Sequence, residues 1–114
     1  MTYVMTYVLT GKVVKGDGYG KKLGFPTVNL NAAVKPLGLK EGVYAGSAVL
    51  YGREYRAGIV VGPANKLEAH LIGYNGDAYG KEVTLKVKKF LREYKKFETE
   101  EELKEQIKKD IEQC

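Results

Sequence analysis

Lys81-Glu-Val-Thr-Leu-Lys-Val-Lys-Lys-Phe90 alternates apolar and polar residues through Lys88. Val83, Leu85 and Val87 fall on one face; Glu82, Thr84, Lys86 and Lys88 fall on the other, the period of a half-buried strand. Downstream the period changes. Thr99 followed by Glu102 forms a capping box, and Leu103, Ile107 and Ile111 recur every four residues as one apolar stripe. Glu100–Lys104 and Glu105–Lys109 are i,i+4 pairs in the favourable orientation, so the acidic run at 98–102 is helix-start chemistry. Upstream, Tyr7 to Lys15, Gly42 to Tyr51, Glu54 to Gly62 and Leu67 to Tyr74 read as strands. Gly52-Arg53 reads as a two-residue hairpin turn with glycine first, and Asn75-Gly76-Asp77 as a second turn. Residues 16–41 are mostly loop, with a short extended piece at Thr27 to Leu30. About five short strands and one terminal helix predict an all-β dominated fold, a small antiparallel barrel closed by the helix.

A chain of 114 residues reads as one domain, with the barrel over about 5–97 and the helix over about 99–113. At 44% hydrophobic and 29% charged residues it has the composition of a soluble globular protein. A single cysteine, Cys114, rules out a disulfide framework. No apolar run approaches the ~18 residues of a membrane span, and the tandem start Met1-Thr-Tyr-Val-Met5-Thr-Tyr-Val8 lacks the build of a signal peptide. A cytoplasmic monomer is the expectation. Residues 1–97 carry 16 Lys and Arg against 7 Asp and Glu, whereas residues 98–114 carry 3 against 7. A basic body with an acidic tail suits a polyanion, either a nucleotide or an RNA.

The densest chemistry lies in Gly16-Asp-Gly-Tyr-Gly-Lys-Lys-Leu-Gly-Phe-Pro-Thr-Val-Asn29. Gly16, Gly18 and Gly20 let backbone approach a ligand, and their N–H groups with Lys21 and Lys22 suit phosphates. Beyond Pro26 an extended chain turns the Thr27 hydroxyl and Asn29 amide to one face. Two neutral oxygens on a hard cation otherwise held by phosphates and water suit Mg²⁺. The same glycines also fit a plain hairpin loop. Pro26 forbids the helix that a dinucleotide fingerprint needs, and a P-loop would require Gly-Lys-Ser/Thr opening a helix.

Gly11-Lys-Val-Val-Lys-Gly-Asp-Gly-Tyr-Gly-Lys-Lys-Leu-Gly-Phe-Pro-Thr-Val-Asn-Leu30 resembles the opening motif of ATP-dependent riboflavin kinases, the flavokinases. The resemblance continues through Glu41-Gly-Val-Tyr-Ala45, Leu67-Glu-Ala-His-Leu71 and Asp77-Ala-Tyr-Gly80. It closes with Leu91-Arg-Glu-Tyr-Lys-Lys-Phe97 and a helix bearing Glu102-Leu103, Gln106-Ile107 and Asp110, so it spans roughly residues 9 to 113. It implies a six-stranded Greek-key barrel that transfers the γ-phosphate of ATP to riboflavin, giving FMN and ADP. It also implies that Glu68 is the catalytic carboxylate, that Thr27 and Asn29 hold the metal, and that Tyr79 lies beside the nucleotide. Arg92, Lys95 and Phe97 fall where the family holds the flavin.

Read without the resemblance, Glu68 and His70 are simply two polar residues on one strand face, opposite Leu67, Ala69 and Leu71. His70 reads as a structural residue, since zinc would need further ligands. Arg92, Lys95 and Phe97 would be a surface connection, and the tyrosines ordinary strand formers. The chain departs from the family in two places. Val28 replaces the usual alanine, and Val60-Val-Gly-Pro-Ala-Asn-Lys66 stands where Asn-Ile-Gly and a longer loop containing Pro-Thr are usual. The length leaves no room for the adenylyltransferase domain often fused to bacterial flavokinases, so a stand-alone kinase is expected. A kinase group that uses CTP lacks the Pro-Thr-x-Asn motif, which favours ATP here. The rival reading is a non-catalytic basic barrel that binds a flavin nucleotide or RNA. Against RNA, the strand face bearing Lys86, Lys88 and Lys89 carries no aromatic residue until Phe90.

Overall fold

Alternation along each strand decides which side chains meet. The computed structural model describes residues 7–14, 24–25, 27–31, 38–63, 66–74 and 78–114. They form β1 (Tyr7–Val14), β2 (Val28–Asn31), β3 (Gly42–Leu50), β4 (Arg53–Val61), β5 (Leu67–Leu71), β6 (Glu82–Arg92) and α1 (Glu100–Glu112). The six strands close into an antiparallel barrel in the order β1-β2-β5-β4-β3-β6. The sixth strand beyond a five-strand count is the short β2, held between β1 and β5.

Inward residues at every second position fill the barrel: Leu9 and Val13, Leu30, Ala48 and Leu50, Ala57 and Ile59, Leu67 and Ala69, Val83, Leu85 and Val87. Each fully buried aliphatic side chain stabilises by roughly 1.5–3 kcal/mol relative to exposure. Small residues let the sheet curl. Gly46 on β3 lies so close to β6 that a Cβ there would overlap the Lys86 carbonyl oxygen. Two register shifts between β3 and β6, at Val43/Tyr44 and Ala45/Gly46, precede this crossing, and such irregularities sharpen local twist.

The β3–β4 hairpin corrects the sequence reading by one residue. The turn is Tyr51-Gly52, not Gly52-Arg53, because Arg53 already pairs with Leu50. Both turn residues have positive φ, 53° and 72°, as a type I′ turn requires, so glycine sits second and Tyr51 accepts the left-handed conformation. β5 also stops at Leu71, three residues short of the expected end at Tyr74, where Ile72 N–H turns to the Arg56 carbonyl.

The helix begins as expected: the Glu102 N–H donates to Thr99 Oγ1 at 3.1 Å. Glu105 pairs with Lys108 at i,i+3, 3.4 Å away. The stripe of Leu103, Ile107 and Ile111 lies against the outer face of the barrel near β4. Among the described residues no helix is long and apolar enough to cross a membrane.

Candidate active site

Residues on β5 that do not enter the core point outward, towards α1. Between that outer face and the helix lies a cavity of about 360 Å³. Val43 of β3, Gly58 and Val60 of β4, and Glu68 and His70 of β5 line it, with Phe25 and Thr27 just before β2. Leu103, Ile107, Asp110 and Ile111 of α1 line it from the opposite element, and Arg92 with residues 94–97 comes from the segment joining β6 to α1.

Glu68 is flanked on the barrel wall by Asn29 of β2 and Val60 of β4, its ladder partners. Its side chain is only 14% exposed, and Lys66 Nζ lies 3.5 Å from Oε1. Directly opposite strand residues point to the same side of a sheet, so Asn29 shares the Glu68 face. Thr27, two residues before Asn29, lines the cavity itself. Thr27, Asn29 and Glu68 are therefore brought to one region from the approach to β2, β2 itself and β5. His70 meets the Phe25 ring edge-on, with centroids 6.0 Å apart.

Arg92, Lys95 and Phe97 also converge. The Arg92 guanidinium and the Lys95 ammonium lie 5.6 Å and 5.3 Å from the Phe97 ring centroid. Arg92 is fixed on its other side by Asp110 of α1. Nε donates to Oδ1 at 3.0 Å and Nη2 donates to Oδ2 at 2.9 Å, and Gln106 Nε2 donates to Oδ1 at 3.0 Å. This two-pronged pairing ties the helix to the end of β6. Burial, then the Asp110 charge, pushes the Cys114 thiol at the end of this helix up, while Arg56 pulls it down.

Tyr79 is placed apart from this cavity. It is 58% exposed on the turn before β6, where Gly80 N–H donates to the Val13 carbonyl at the end of β1. The loop residues Gly16, Gly18, Gly20, Lys21 and Lys22 lie outside the described residues. Sequence reasoning passed over Phe25, Lys66 and Asp110 as site residues. Asp110 alone left a signal: a carboxylate beside Ile107 and Ile111 on the helix, four residues after Gln106.

Comparison with known proteins matches this architecture. The sequence profile of the family described as Flavokinase: Riboflavin kinase matches residues 4–114. The chain is 35% identical over 113 residues to the RNA-binding riboflavin kinase RibR of Bacillus subtilis, covering 91% of this chain and 48% of that protein. It is 33% identical over 114 residues to the bifunctional riboflavin kinase/FMN adenylyltransferase of Escherichia coli, covering 91% of this chain and 36% of that protein. It thus spans half or less of the length of these relatives. The crystal structure of riboflavin kinase from Trypanosoma brucei superimposes with a TM-score of 0.69 at 21% identity, covering 98% of this chain and 79% of that one, which shows a shared fold. With nearly its whole length matched by that profile, the chain belongs to the riboflavin kinase (flavokinase) family.

Proposed function

We propose that this protein phosphorylates the 5′-hydroxyl of riboflavin with ATP, forming FMN and ADP. The observation that carries the reading is Glu68, a largely sheltered carboxylate in the wall of the cavity, with Thr27 and Asn29 beside it. Core packing has no use for that trio.

The cavity volume falls within the ~300–1,000 Å³ of small-molecule sites. Val43, Val60, Leu103, Ile107 and Phe97 offer flat apolar area for an isoalloxazine ring, and Arg92 and Lys95 offer donors for its carbonyl oxygens. The ribityl chain would then run towards Glu68. Gly16, Gly18, Gly20, Lys21 and Lys22 would hold the ATP phosphates, with Tyr79 beside the nucleotide.

The step balances simply. The 5′-oxygen forms a bond to the γ-phosphorus, the bond from that phosphorus to the β,γ-bridging oxygen breaks, and ADP leaves with the electron pair. The hydroxyl proton passes to the Glu68 carboxylate. In phosphoryl transfer the protein mostly positions the groups and stabilises charge, so holding the hydroxyl in line is its main task. Asn29 and Val60 on either side restrict where Glu68 can reach.

The donor set fits Mg²⁺. Thr27 and Asn29 supply neutral oxygens, and no cluster of three or more His, Cys, Asp or Glu competes for a metal among the described residues. A bound Mg²⁺ would neutralise charge on the β- and γ-phosphates. On this reading the protein works as a cytoplasmic monomer.

Incubation with riboflavin, ATP and Mg²⁺, followed by chromatography, tests the reading. FMN formed in step with ADP is the expected result, and CTP in place of ATP should serve poorly. Tight flavin binding with no FMN formed would instead favour the non-catalytic barrel.

A further inference from the structure

The short segment that joins β4 to β5 is built around one cation. Gly62 N–H donates to the Lys66 carbonyl at 2.8 Å, and Lys66 N–H donates to the Pro63 carbonyl at 3.2 Å, which closes the turn. The Lys66 stem lies over Gly62: a Cβ at Gly62 would stand 3.3 Å from Lys66 Cβ and Cδ and 3.4 Å from the Tyr94 ring. Backbone and stem are thus both held, and they set the ammonium in the cavity wall, 3.5 Å from Glu68 Oε1. An ion pair that long with a 38% exposed lysine adds little to stability.

A phosphate is the ligand that would need it. Riboflavin is neutral, but its phosphate ester carries about −1.5 to −2 charges at pH 7. Phosphoryl transfer would leave that charge beside Glu68, which is a carboxylate again once the proton it took is released. Val60 cannot offset the repulsion, and Asn29 is neutral. Arg92 is held by Asp110, and Lys95 lies against the Phe97 ring, where both would face the flavin ring. We propose that Lys66 is the contact for the transferred phosphoryl group, a cation that distinguishes the phosphorylated flavin and its transition state from riboflavin itself. The proposal rests on the riboflavin kinase reading for its substrate but makes a binding claim that can be measured without turnover.

The experiment is a fluorescence titration of wild-type, Lys66→Met and Lys66→Arg proteins with riboflavin and with FMN, alongside kcat and thermal unfolding. Methionine keeps the stem that packs on Gly62 and removes the charge. Lys66→Met should bind riboflavin normally and FMN roughly tenfold more weakly, the loss of one charge-assisted contact. Its kcat should fall while the KM for riboflavin holds, Tm should stay put, and Lys66→Arg should restore FMN binding. Lys66→Gln serves as a second neutral variant should methionine perturb the fold. An unchanged preference for FMN over riboflavin, or an equal loss for both, overturns the assignment. A wild-type protein that binds FMN through Lys66 yet makes none from riboflavin would sink the kinase reading and leave the anion contact standing.

Discussion

The two faces of β5 have opposite characters. Leu67, Ala69 and Leu71 are 0–3% exposed inside the barrel, while Glu68 and His70 face the cavity under α1. Inside, five other strands supply neighbours, and hydrophobicity with correct size is nearly all that matters. Outside, the neighbours are a helix and a connecting segment that arrive some thirty residues later, and each polar group needs a named partner. A period of two therefore separates folding from chemistry on one five-residue strand.

Glu68→Gln should show the largest effect, and only on chemistry. Glutamine keeps the shape but cannot take the hydroxyl proton, and loss of such help costs about 10²–10⁴-fold in rate. We expect kcat to fall by that much with near-normal riboflavin and ATP affinity and an unchanged Tm, the pattern of an interaction made in the transition state. Wild-type turnover in rapid-quench assays would remove Glu68 from the mechanism.

The inner face should answer in the opposite way. Ile59→Ala empties a site that is 0% exposed, and such truncations cost about 2–5 kcal/mol. Denaturant unfolding should report that loss while kcat per folded molecule holds. A folded Ile59→Ala protein with a hundredfold lower kcat would show that the two faces are coupled after all.

That division also sets what was legible in the sequence. Val83, Leu85 and Val87 declared their face because period two is a local property, and Thr99 declared the helix start for the same reason. The hairpin was misplaced by one residue because glycine reads equally well at either turn position; Tyr51, which no turn rule favours, takes the other. Glu68 as a site residue needed the family resemblance, since an outward glutamate on a strand is otherwise unremarkable. The Arg92–Asp110 tie joins residues 18 apart across a change from strand to helix, and the Lys66–Glu68 approach depends on how a short turn folds back. Neither follows from spacing.

Asp110→Ala should lie between the two extremes, because this residue belongs to the seam. It removes three hydrogen bonds to Arg92 and one to Gln106 and leaves a partly buried guanidinium without its carboxylate. Hydrogen bonds to charged groups contribute about 1.5–3 kcal/mol, and with Arg92 22% exposed the lower end applies, so a loss near 1.5 kcal/mol is expected. Riboflavin affinity should weaken in parallel, since α1 forms one side of the cavity. Full stability with weakened flavin binding would mean that Asp110 serves the site alone.

The smallest effect should come from Cys114, which reports how dry the far end of the cavity roof is. Its Sγ donates to the Asp110 carbonyl at 3.2 Å and lies over Gly58 on the outer face of β4. Burial and the nearby Asp110 carboxylate raise the thiol above its ordinary value, with Arg56 opposing them. A thiol raised on folding favours the native state below the unfolded pKa, and that contribution is lost as pH climbs through the folded one. Iodoacetamide should therefore label the native protein more slowly than the urea-unfolded chain near pH 8.5, and the gap should close as pH rises. Stability should decline modestly over the same alkaline range, and Cys114→Ser should flatten the decline. Asp110→Ala removes an anion and loosens the helix end, so it should speed native labelling. Equal labelling rates for native and unfolded chains would mean that water reaches the thiol freely, and the outer face would then be sheltered only where Glu68 sits.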